Sequence, residues 1–168
     1  MTINNYKMIQ RIQTLYIFIA SASLALMFFF PIYTFRETQA DASFKEVKLT
    51  IQGRFEKDMS TNEYVLVKPN YAKSLMVLVI GLAFFVAIFQ YQNRVRQLRI
   101  TRIMIILVFA FIVTLLSSAY STVNATGVSN IVTGMAVIFP SISIVFAALA
   151  ARAIKKDENL VRSADRLR

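Results

Sequence analysis

The sequence predicts an all-α integral membrane protein: four transmembrane helices, both termini in the cytoplasm, and a small β-hairpin in the first extracytoplasmic loop. Three observations predict it. The 168 residues are 57% hydrophobic, too apolar for an ordinary soluble domain. The charges are confined to segments that separate long uncharged runs, each long enough to cross a hydrocarbon core of about 30 Å. Four arginines, Arg94, Arg96, Arg99 and Arg102, crowd into nine residues without an acid. Such a stretch cannot enter hydrocarbon, and as a short loop it stays cytoplasmic by the positive-inside rule.

The elements follow in order. Residues 1–11 are a polar lead with Lys7 and Arg11, and 12–35 are 24 uncharged residues. This run continues well past Ser21-Ala22-Ser23, so it reads as a retained first helix rather than a cleaved signal peptide. Pro31 lies near its far end, where a lost backbone donor is tolerable. Residues 36–73 form a polar extracytoplasmic loop carrying seven basic and six acidic groups. Within it, Phe44–Phe55 alternates apolar and polar residues and Tyr64–Val67 is a second β-rich run, with turn residues between them. That pattern predicts a two-stranded hairpin. Gly53 marks a bulge or a close backbone approach, and Pro69 ends the second strand.

The second helix is 74–93, and the arginine loop joins it to the third. After Arg102 no charge occurs until Arg152. Those 49 residues suit two spans, near 103–120 and 131–151, around a turn at 121–130 that contains Gly127. Pro140 falls near the middle of the fourth span and should kink it. The tail, 152–168, is basic and lacks Gly and Pro, so the fourth helix can simply continue. Ile154, Leu160, Val161, Ala164 and Leu167 approximate an apolar stripe. Glu158 and Arg162 are spaced to pair. The acidic pair Asp157-Glu158, beside Lys155 and Lys156, reads as a solvated, self-neutralised helix face.

The net charge of +10 concentrates on the N-terminus, the arginine loop and the tail, as positive-inside topology requires. Cysteine and histidine are absent. No thiol nucleophile, thiolate metal site or imidazole base is available. No ionisable residue interrupts the four spans, so the usual sign of a proton relay or ion path is missing. The expectation is therefore a protein that is not an enzyme and needs no cofactor or metal. What remains is packing chemistry: small residues at Ala20-Ser21-Ala22-Ser23 and at Ala147, Ala148, Ala150 and Ala151 suit close helix contact in lipid.

The opening Met8-Ile-Gln-Arg-Ile-Gln-Thr-Leu-Tyr16, the Asn93-Arg94 loop with Gln97-Leu-Arg-Ile100, and the tail Lys156-Asp-Glu-Asn-Leu-Val-Arg-Ser-Ala-Asp-Arg-Leu167 carry a resemblance. Together they resemble a family of short four-helix inner-membrane proteins of unknown function found in the Bacteroidota. The resemblance implies a multi-pass protein of the bacterial inner membrane with 36–73 in the periplasm. It implies no activity.

These observations lead to a non-enzymatic accessory or scaffold subunit of a larger inner-membrane complex. Protein export is one candidate process. The alternative is a small homo-oligomeric carrier or channel, gated at Pro140, and a sensor using the hairpin is a third reading. The residues expected to contact a partner or lipid headgroups are Arg94, Arg96, Arg99, Arg102, Arg162, Arg166 and Leu167. The expected partners are other inner-membrane proteins, anionic lipid headgroups and a cytoplasmic protein on the tail, with ribosome or RNA contact last.

Overall fold

The computed structural model describes residues 3–38, 44–58, 61–126 and 131–166. In chain order these form α1 (Ile3–Leu26), β1 (Tyr33–Thr38), β2 (Phe44–Leu49), β3 (Gly53–Lys57), β4 (Tyr64–Pro69), α2 (Tyr71–Phe89), α3 (Arg94–Thr126), β5 (Ile131–Thr133) and α4 (Ile138–Arg166). α1 packs on α2 and α4, and α3 packs on the same two. The helices therefore stand in a square in chain order, each antiparallel to its neighbours, as in an up-down bundle. The arginine stretch lies at one end of the bundle and the sheet at the other.

α2, α3 and α4 are each long and apolar enough to cross a membrane, and α1 contributes a shorter apolar stretch, Ile12–Leu26. Large apolar side chains also cover the outside of the bundle: Leu75, Leu82 and Phe89 on α2, and Ile106, Phe109 and Leu116 on α3 are all exposed. Apolar residues both inside and outside are compatible with a membrane protein.

What separates inside from outside is, for most buried positions, a spacing of alternating threes and fours. Among the described residues, α1 buries Gln13, Ile17, Ala20 and Leu24, with Ser23 beside them, and α2 buries Val77, Ile80, Phe84 and Ala87. α3 buries Gln97, Thr101, Met104, Val108, Phe111 and Leu115, and α4 buries Ser143, Ala147, Ala150, Ile154 and Asp157. This is the heptad repeat of knobs-into-holes packing. Small residues on α1 and α4 bring their backbones together. Ser143 donates to the Ala20 carbonyl at 3.0 Å, and Ser21 donates to the Gly81 carbonyl of α2 at 3.0 Å. Such bonds join helices where lipid offers no hydrophobic drive.

The expected two-stranded hairpin is instead part of a five-stranded antiparallel sheet in the order β4-β3-β2-β1-β5. The alternating run 44–55 does not stay one strand. It turns at 50–52, where the Thr50 hydroxyl binds the Gly53 backbone, and becomes β2 and β3. Gly53 has φ +155°, and a Cβ there would overlap the Lys68 carbonyl. The register of β3 on β4 shifts just beyond it, between Arg54 and Phe55.

The sheet also takes residues expected in two of the spans. α1 ends at Leu26 rather than at 35. Tightened turns follow, with Met27, Phe28 and Phe29 N–H groups bonded three residues back, and Pro31 prevents the helix from resuming. Tyr33–Thr38 then pairs with β2 and β5. The fourth helix starts at Ile138 rather than at 131, because 131–133 is β5 and Met135–Val137 a 3-10 turn. Gly134 makes that junction possible: its N–H binds the Ile32 carbonyl at 2.8 Å, and a Cβ there would overlap the Pro31 carbonyl. Pro140 consequently lies in the first turn of α4, not at its middle. A missing N–H costs little there, so Pro140 helps start the helix rather than interrupting its middle.

The arginine loop is also corrected. Only a short 3-10 turn, Gln90–Gln92, and Asn93 separate α2 from α3. The Asn93 side chain accepts from the Arg96 N–H at 3.1 Å, an N-cap, and all four arginines lie in the first turns of α3. Asn70 caps α2 in the same way, accepting from the Lys73 N–H at 3.2 Å, so α2 starts at Tyr71 rather than at 74.

Candidate functional site

Helix lengths determine what the arginine end can present. α3 has 33 residues and α4 has 29, or about 50 and 43 Å at a rise of ~1.5 Å per residue. Both exceed a hydrocarbon core of about 30 Å. The surplus is the charged part: the first turns of α3 and the last turns of α4, side by side and antiparallel.

Their heptad positions here are polar instead of apolar. Asp157 is 2% exposed and its Oδ2 lies 3.1 Å from Nη1 of Arg94. The two atoms are buried and close but not aligned as a hydrogen bond. Gln97, 1% exposed, donates to the Ala87 carbonyl at the end of α2 at 3.0 Å. Thr101 donates to the Gln97 carbonyl at 2.9 Å. Gln13 of α1 donates to the Ala153 carbonyl of α4 at 3.2 Å. A polar layer thus ties all four helices together where the charges begin.

Of the residues expected to meet a partner, Arg94 turns inward to this layer. Arg96, Arg99 and Arg102 are exposed and form no ion pair with any described residue. Arg162 is bonded to Glu158 at 2.8 Å, one turn away. Arg166 closes α4, and Leu167 lies outside the described residues. Arg152, Lys155 and Lys156, absent from the expected set, are exposed and unpaired among the described residues as well. With Asn159, Leu160 and Ser163 they line a shallow groove of about 510 Å³ on α4.

Asp157 departs from the sequence expectation. It is buried, not solvated, while Leu160 and Val161 of the expected stripe are 45% and 36% exposed. A usable signal existed: Ser143, Ala147, Ala150, Ile154 and Asp157 keep the alternating spacing without a break. Chemically, the arrangement offers an array of guanidinium and ammonium groups for anionic surfaces. Among the described residues, no group of three acidic side chains is placed to hold a metal ion.

Residues 9–167 match a family model described as a domain of unknown function, DUF4293. No curated protein matches the chain.

Proposed function

The chain belongs to this DUF4293 family, and we propose that it is a non-enzymatic accessory or scaffold subunit of a larger complex in the inner membrane of a bacterium, one of the Bacteroidota. In this reading it crosses the membrane four times, with both termini and the arginine end in the cytoplasm and the sheet in the periplasm. The observation that carries the reading is the cationic face of α3 and α4. Arg96, Arg99, Arg102, Arg152, Lys155 and Lys156 project from two helices that are locked together by Arg94 and Asp157. Positive-inside topology needs only net charge near a span. It does not need a buried ion pair that holds the charges on a rigid surface. Rigid presentation lowers the ordering cost of binding, and it supports a partner with a complementary acidic face. A component of the protein-export apparatus is one candidate for that partner.

A second feature is consistent with this role. The seams bury Ile17, Leu24, Phe84, Val108 and Phe111 inside the bundle, which favours this reading over a solute path through one copy. The test is a pull-down in mild detergent with a small tag at the N-terminus, leaving Arg168 free, read by mass spectrometry. The reading predicts a stoichiometric set of membrane partners that is lost when Arg96, Arg99 and Arg102 are all changed to Gln. Recovery of the protein alone, as a discrete oligomer, would overturn the reading in favour of a homo-oligomeric carrier or channel.

A further inference from the structure

At the other end of the molecule, a cavity of about 340 Å³ opens between the sheet and the adjacent ends of α2 and α3. That is the size range of small-molecule sites. Arg54 from β3, Lys68 from β4 and Lys73 from the first turn of α2 line it, and among the described residues no acidic one does. Arg54 is already bound to Glu37 and Glu56. Lys68 and Lys73 form no ion pair with any described residue.

Two features leave these lysines short of negative charge. Lys68 stands opposite Arg54 in the β3–β4 register, and like charges placed directly opposite are destabilising. Lys73 is half-buried, and an ammonium partly withdrawn from water without a counter-charge is unfavourable. Across the cavity, Ser118 and Ser121 of α3 donate their hydroxyls to the Leu115 and Ser118 carbonyls, at 2.9 and 3.0 Å. Their oxygens keep lone pairs that accept from a ligand. The lining thus pairs donors of positive charge with acceptors that suit a hydroxyl or amine.

We infer that this cavity binds a phosphate ester, with Lys68 and Lys73 on the phosphate oxygens and the serine oxygens accepting from a hydroxyl or amine of the same molecule. The cavity lies where the apolar length of α2 begins, so a phospholipid headgroup is one source of that ester and a soluble phosphate ester is the other. The inference is independent of the partner proposed for the arginine end.

The test uses the full chain purified in mild detergent. Glycerol phosphate and short-chain phosphatidylglycerol are titrated separately by calorimetry. Saturable binding of the lipid alone assigns the headgroup, and saturable binding of glycerol phosphate assigns the soluble ester. In either case Lys68→Gln and Lys73→Gln should each weaken binding about tenfold, as expected for a lost charge-assisted bond. Lys73→Arg should retain it, and Lys57→Gln, on β3 but outside the cavity lining, should leave it unchanged. Should Lys73→Gln fail to fold by circular dichroism, Lys68→Gln, at an exposed strand position, carries the test. Binding of neither probe, or binding that Lys68→Gln leaves unchanged, overturns the inference.

Discussion

Asp157 and Arg94 form an asymmetric pair: the acid is 2% exposed, while the arginine side chain retains 22% of its surface. The two partners are therefore not equivalent when removed. Arg94→Ala strands a buried carboxylate and should cost about 3–5 kcal/mol. Asp157→Ala leaves an arginine that can turn to water, and should cost about 1–3 kcal/mol. The double variant should be more stable than Arg94→Ala alone. Chemical unfolding of the four proteins in one detergent checks the order, and equal losses for the two single variants would contradict it.

The junction of β1 with β5 rests on Gly134. Gly134→Ala drives a Cβ into the Pro31 carbonyl, which is backbone and cannot swing aside. A loss of about 1–3 kcal/mol is expected, the usual range for overpacking. Gly81→Ala is the internal control: a Cβ there meets nothing within 4 Å, and removing a mid-helix glycine should gain about 0.5–1 kcal/mol. Thermal unfolding of the two variants should move in opposite directions.

Ser143 tests the α1–α4 seam. It is fully buried and donates to the Ala20 carbonyl. Ser143→Ala removes one interhelical bond and should cost about 0.6 kcal/mol. Ser143→Leu must push α1 from α4 and should cost about 1–3 kcal/mol. A leucine that is tolerated as well as the alanine would show that the seam is not closely packed.

The sheet should respond to acid through Glu56. Its hydrogen bond to Lys45, joined by the bond to Arg54, holds its carboxyl below the ordinary value of 4.5, against the opposing effect of burial. A carboxylate with a lowered folded value contributes stability above its unfolded value and loses it as the pH falls through the folded one. The stability gap between the native protein and Glu56→Gln should be constant near neutral pH and shrink below about 4.5. A gap that widens on acidification would reverse the assignment.

How much of this was readable from the chain differs element by element. The uncharged runs and the arginine stretch show which segments are apolar, because that is a property of composition. The caps at Asn70 and Asn93 are local too: a short polar side chain just ahead of a helix bonds its first turn. The heptad spacing was equally present in the letters, but it is masked in membrane helices, where apolar residues cover both faces and the contrast that marks an amphipathic helix is lost. The polar members of the seams, Gln13, Gln97, Thr101, Ser143 and Asp157, break that uniformity.

By itself, the sequence determined the long apolar runs, the segregation of charge away from them, and the β character of 44–67. The tertiary structure alone decided that Ile131–Thr133 is a strand, because its partner, β1, lies in another loop nearly a hundred residues earlier and three apolar residues carry no signal of their own. It alone decided that Asp157 faces inward, because the reason is a guanidinium more than sixty residues away. In both cases the deciding partner, a strand edge or a counter-charge, is supplied only when distant segments meet.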